Sequence, residues 1–262
     1  MTNCKSENEN QTESLFFSAN DLARLDKSNI PHHVAIIPDG NRRWAKDLKK
    51  ESVEGYPFGI ESGLTCIQAA KELGIKVLTI YTFSTENWTR PEAEVLAYLK
   101  IGERYLRQYQ QKLIESNIRL NVIGNLQLMP RSLVEVINET KEKTAGCTGF
   151  DLVLAVNYGS RDEICRAVRS LVNDCLNQKI SPDTLTEESI AHYLDTSRWP
   201  DPDLLIRTSG EKRISNFLLW QSSYSELYTD DVLWPNFTPS HLLSAVCDYQ
   251  TIQRRRGGGT YN

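Results

Sequence analysis

The chain has 262 residues, 40% hydrophobic and 24% charged, a composition that suits one substantial soluble domain with a full core. A net charge of −4 and a pI near 5.7 argue against a general nucleic-acid binder, which needs a basic face, so any anion site must be local. The six cysteines include no C-x-x-C pair and no histidine at metal spacing, which argues against a zinc site or a disulfide framework and suits reduced thiols in a cytosol.

Residues 1–28 are polar, with a small apolar patch at Leu15, Phe16 and Phe17, and read as a flexible N-terminal extension with one docked turn. They lack the basic-then-apolar order of a signal peptide, and nowhere does the chain approach the roughly 20 apolar residues that cross a bilayer. A soluble, cytoplasmic protein is expected, at most peripheral at a membrane. Residues 29–262 read as a single domain. Strands are predicted at Val34–Ile37, Val77–Phe83, Leu120–Ile123, Leu152–Asn157 and Leu204–Ile206, with a short sixth around Leu227–Tyr228. Most are Val/Ile/Leu-rich without clean alternation, as strands covered on both faces are.

Between the strands lie segments of helical period. Ile60–Leu73 is stopped by Gly74, and Pro91 opens a helix with Glu92 and Glu94 in its first turn. Ser160 to Glu163 has capping-box spacing before a helix to about Leu176, and a last helix starts at Thr238–Pro239. The alternation predicts an α/β fold, a mostly parallel central sheet surrounded by helices.

Ligands of open parallel sheets bind beyond the carboxyl ends of the strands. There the first strand delivers Asp39, Gly40, Asn41, Arg42 and Arg43; the second delivers Ser84 to Arg90; the fifth delivers Arg207 to Gly210, then Arg213, Ile214 and Ser215. Arginine forks, hydroxyls and a glycine turn at a helix start suit a phosphate-rich ligand. Asp39 would repel that ligand unless a cation lay between them, and Mg²⁺ is the expected bridge. Each piece also has a plainer reading: Asp-Gly as a turn, Arg-Arg as a solvated helix face, Trp44 and Trp88 as packing residues, and Ser84 to Asn87 as a helix cap. The common nucleotide-binding glycine motifs are missing.

Three stretches, HVAIIPDGNRRWAK, TIYTFSTENWTRPEAEV and DLLIRTSGEKRISNFLLWQSSYSELY followed by DVLWP, resemble in order and spacing the cis-prenyltransferases, the undecaprenyl diphosphate synthase-like family. The resemblance runs from about His32 to Gly258. It implies a fold with an apolar tunnel, usually a homodimer, that condenses isopentenyl diphosphate onto an allylic diphosphate such as farnesyl diphosphate, with Mg²⁺. Matched by position, Asp39 is expected to engage metal and allylic diphosphate. Gly40, Asn41, Arg42, Arg43 and Trp44 form its phosphate-binding turn. Asn87 is expected at proton removal, with Ser84, Thr85, Glu86, Trp88 and Arg90 around the substrate. Arg207, Arg213, Ile214 and Ser215 match the isopentenyl diphosphate site, and Glu226 a second metal ligand near the dimer partner.

Two positions depart from the family pattern: Ser52 stands for a common arginine and Tyr56 for a common histidine, so both substrate-binding positions carry less positive charge here. Thr82 and Phe150 match positions near the tunnel where smaller residues are frequent. The basic tail Arg254–Arg256 is expected near the partner subunit or lipid headgroups. The rival reading is a non-catalytic scaffold subunit of the same family.

Overall fold

The computed structural model describes residues 14–253. Six strands form one sheet: β1 His33–Ile37, β2 Val77–Ser84, β3 Ile118–Ile123, β4 Phe150–Tyr158, β5 Leu204–Arg207 and β6 Glu226–Thr229. Their order is β3-β4-β2-β1-β5-β6, and every neighbouring pair is parallel. Parallel neighbours need crossovers, supplied by α2 Asn41–Asp47 and α3 Gly55–Glu72, α4 Glu92–Glu115, α5 Arg131–Thr144, α6 Ser160–Leu176 and α7 Glu187–Tyr193, while α8 Pro239–Thr251 is the last helix of the described residues. All five residues of β1 are buried, as the unbroken apolar run requires of a central strand.

The sheet separates two cores. On one face Val34, Ile36, Leu78, Ile80 and Leu152 pack under α3 and α8; on the other Ala35, Val153, Ala155 and Leu205 meet Tyr158 and Phe217. The alternation of even and odd positions is the two-residue period of a pleated strand.

Several local expectations change. Residues 1–13 of the expected extension lie outside the described residues, as does the tail Arg254–Arg256. Residues 14–28 are packed, with Phe17 buried in the main core and Phe16, Leu22 and Leu25 against it. They include a short helix α1, Ala19–Leu22, begun by a Ser18–Asp21 capping box. The helix expected from Ile60 begins at Gly55, because a Cβ at Gly55 or Gly59 would meet Asn41 atoms at 2.4 and 2.0 Å, and glycine there lets α2 and α3 touch. Ser160 does not cap α6. Its hydroxyl accepts the Leu219 N–H at 2.8 Å, and Glu163 is buried with Tyr158 and Gln221 instead. Among the described residues no helix is long and apolar enough to cross a membrane.

At the amino end of β1, His33 is 1% exposed; its Nδ1 lies 2.7 Å from the Pro200 carbonyl and its Nε2 2.8 Å from the Thr79 hydroxyl. The carbonyl can only accept, so Nδ1 carries a proton. Burial pushes its pKa down from 6.5 to about 4. Because the folded state resists a proton that the unfolded state takes up, stability is full above about pH 6.5 and falls towards pH 4, by ~3 kcal/mol in all. Urea unfolding across that window should show the loss, and His33→Gln should flatten it.

Candidate active site

The site grows from the register of two adjacent strands. Ile37, the last residue of β1, pairs with Arg207, the last of β5, so the turn after β1 passes over the end of β5. The Asp39 N–H meets the Thr208 hydroxyl at 2.8 Å, and the Asp39 carbonyl accepts from Trp234 N–H at 3.0 Å. Gly40, at φ +112°, turns the chain into α2; a Cβ there would press on the Leu233 backbone at 3.0 Å. So held, Asp39 Oδ2 accepts from Arg207 Nη2 at 2.7 Å. Arg207 is 5% exposed, whereas a third of the Asp39 side chain faces the rim. Arg207 Nη1 donates to Ser215 Oγ at 2.7 Å and to the Arg213 carbonyl, while its Nε is buried without a partner.

Two more carboxylates hold the other guanidiniums. Glu211 accepts from Arg43 at 3.0 Å and from Arg213, and the Arg213 hydrogen bond and charge, aided by Arg43, hold its carboxyl below the usual range. Glu94 takes Arg42 at 3.4 Å, Arg90 at 3.9 Å and the Tyr56 hydroxyl at 2.6 Å. Arg90 also donates to that hydroxyl at 3.2 Å. Burial, then the bond to Glu94, pushes the Tyr56 hydroxyl well above the ordinary phenol value.

These groups surround the mouth of a cavity of about 580 Å³. Asp39, Gly40, Asn41, Arg42, Arg43, Tyr56, Ser84, Asn87, Arg90, Arg207 and Ser215 line it, and behind them the walls are apolar, from α3, α4 and one sheet face. Along that face Val156, Leu154 and Leu152 line it in turn. The next residue of the same face, Phe150, lies outside the lining, 3% exposed and in register with Ile118. Phe150 is therefore core just beyond the apolar lining, and Thr82 is wall.

The remaining expected residues sit elsewhere. Ser52 lies in a short 3-10 turn outside the cavity, Trp44 packs at a tilt against Phe58 with centroids 4.6 Å apart, and Ile214 packs on the opposite sheet face. Thr85, Glu86 and Trp88 form the turn outside the lining; Glu86 accepts from Asn216 at 2.8 Å and Trp88 donates to Asn157 at 2.8 Å. The expected cap is real but local: Asn87 Oδ1 accepts the Ser84 N–H at 3.1 Å and closes this turn, while α4 starts at Pro91 without a side-chain cap. Glu226 opens β6, in register with Leu204, which is level with Val34. It is thus at the opposite end of the strands from Asp39, separated along the strand direction by roughly 10 Å of β1 alone at about 3.3 Å per residue. Within one chain the two expected metal ligands do not meet, and the described residues hold no cluster of three metal-binding side chains. Glu94, Glu211 and Asn157 were not expected; Glu94 had shown only as a first-turn acid.

The family model for undecaprenyl diphosphate synthase matches residues 37–257. The chain belongs to this prenyltransferase family. An isoprenyl transferase of Staphylococcus saprophyticus is 45% identical over 234 residues, 89% of this chain and 92% of that protein. One from Chlamydia pneumoniae is 49% identical, covering 88% and 93%. Among solved structures, lavandulyl diphosphate synthase from Lavandula x intermedia, in complex with dimethylallyl diphosphate, matches with a TM-score of 0.86 and 35% identity, over 88% of this chain and all of that one. A probable undecaprenyl diphosphate synthase from Campylobacter jejuni matches at 0.74 and 32%, with the same coverage. The chain is accordingly a prenyltransferase enzyme of the chain-elongating kind.

Proposed function

We propose that the enzyme joins isopentenyl diphosphate to an allylic diphosphate, with farnesyl diphosphate as primer, and builds a cis-polyprenyl diphosphate of the undecaprenyl lipid-carrier type. The observation that carries this reading is the Asp39–Arg207 pair, an acid and a buried guanidinium 2.7 Å apart at the charged mouth of an apolar cavity. A diphosphate head fits the mouth and a growing prenyl tail fits the cavity.

Asp39 suits Mg²⁺ by its chemistry: it is a hard carboxylate, one-third exposed, beside a place for phosphate oxygens, and this ion is commonly held by one or two carboxylates plus phosphate. Asp39 would hold the ion, whose charge when bound favours departure of the allylic diphosphate. The chain's own part is positional and electrostatic. Arg207, anchored by Ser215, fixes Asp39 and puts a buried positive charge behind the mouth. Arg42 and Arg90 leave Glu94, and Arg43 and Arg213 leave Glu211, to take phosphate oxygens. Asn87 has its carbonyl oxygen committed to the Ser84 amide, so it presents N–H donors. It therefore orients a diphosphate oxygen that accepts the leaving proton, and is not itself the base. The walls exclude water from the ionised allylic carbon.

The partner expected of this cytoplasmic enzyme is a second copy. On α6, Val168, Val172 and Leu176 form an i, i+4, i+8 stripe, 44, 49 and 76% exposed, and the edge strand β6 presents Leu227. A homodimer covers them.

The direct test incubates the chain with labelled isopentenyl diphosphate, farnesyl diphosphate and Mg²⁺. Label should enter an apolar product and stop doing so with chelator; no incorporation would overturn the reading in favour of a scaffold subunit. Asn87→Ala should lower kcat at least about tenfold with KM changed less than about threefold. Phe150→Ala should deepen the cavity and lengthen the product, since each added isoprene gains about five carbons of burial at ~0.8 kcal/mol apiece; chromatography of the extracted product reads the shift. Val172→Glu should convert the dimer to monomer in sedimentation velocity.

A further inference from the structure

Next to the turn that carries Asn87, strand β4 breaks its own regularity. Pairing with β2 runs Tyr81↔Ala155, Phe83↔Val156 and Ser84↔Tyr158, so Asn157 is left without a partner in the register. Asn157 takes φ +47° and is 2% exposed. A left-handed residue in a buried strand is a local cost, borne more readily by asparagine than by most residues. Such bulges re-aim a side chain.

Here the side chain is aimed at two loops. Its Oδ1 accepts Trp88 Nε1–H at 2.8 Å, and its Nδ2 donates to the Asn125 carbonyl at 2.6 Å. The Asn157 carbonyl accepts the Asn125 N–H at 3.2 Å, closing the clamp. Gly124 makes this approach possible, because a Cβ there would lie 2.2 Å from the Val156 carbonyl oxygen. Trp88 follows Asn87 in the turn Thr85–Thr89 and rests edge-on against Phe83, centroids 5.3 Å apart. Phe83 lines the cavity. The indole is held by Phe83 and bonded at its nitrogen by Asn157, so the turn that carries Asn87 is tied to β4.

We propose that Asn157 is a positioning residue of the prenyl-transfer reaction, acting through Trp88 to set the angle at which Asn87 meets its substrate. This rests on the role given to Asn87 above. A clamp that served folding alone would change stability and leave turnover as it was.

Asn157→Gly removes both side-chain bonds and keeps the left-handed backbone. It should lower kcat at least about tenfold with both KM values within about threefold, and Trp88→Phe, which removes the donor from the half-exposed end, should do the same. The double variant should be no slower than the slower single one, because both break the same Trp88–Asn157 bond. In chain labelled with 5-fluorotryptophan, the ¹⁹F signal missing from Trp88→Phe should shift in Asn157→Gly. Unchanged kcat in Asn157→Gly, additive losses, or an unmoved Trp88 signal would overturn the proposal; should that variant not fold, the kcat of Trp88→Phe decides. An inactive wild-type chain would instead sink the reading of the site, and the ¹⁹F shift would then report the clamp alone.

Discussion

A guanidinium cannot be buried without an anion, and the position of Arg207 makes that requirement the organising constraint of this molecule. Arg207 ends β5 inside the protein, with Nη1 taken by Ser215 and the Arg213 carbonyl. The anion must come from the neighbouring strand, and the parallel register of β1 supplies it as Asp39. The Pro-Asp-Gly turn, the left-handed Gly40 and the Thr208 contact all serve to bring that carboxylate across. An antiparallel neighbour would have put its turn at the other end of the sheet.

The same logic is repeated around the rim with more solvent. Glu211 and Glu94 each serve two arginines from distant parts of the chain, so the concentration of positive charge is balanced from within. On the proposed reading, this is how a protein of net charge −4 would keep an anion site. Diphosphate capture would, on that reading, be an exchange of partners, which lowers the net gain per contact and keeps the arginines ordered beforehand.

The frame of the fold is legible because Val/Ile/Leu runs bounded by turn residues can only be strands covered on both sides, and the rule that ligands gather at carboxyl ends then collects Asp39, Asn87 and Arg207. What escapes that reasoning is set by contacts distant in sequence. Ser160-x-x-Glu163 has the spacing of a cap, but its hydroxyl is claimed by Leu219 and its acid by the buried Tyr158 and Gln221. Gly55 and Gly59 look like helix breakers, and are tolerated because Asn41 lies against them. Asn157 looks like the polar end of a strand, since nothing local announces a register slip between β2 and β4. Glu226 matches its motif well, yet strand direction carries it to the far end of the sheet.

The hollow beside the sheet has a thermodynamic corollary. Leu and Ile side chains facing an open cavity forgo dispersion contacts that a filled interior would give them. An occupant restores those contacts only in the native state, so by mass action it raises the melting temperature of its host. On the proposed reading, laden and vacant enzyme are then two proteins of different heat resistance, and the lengthening hydrocarbon would be, until it departs, a transient part of the interior that shelters it.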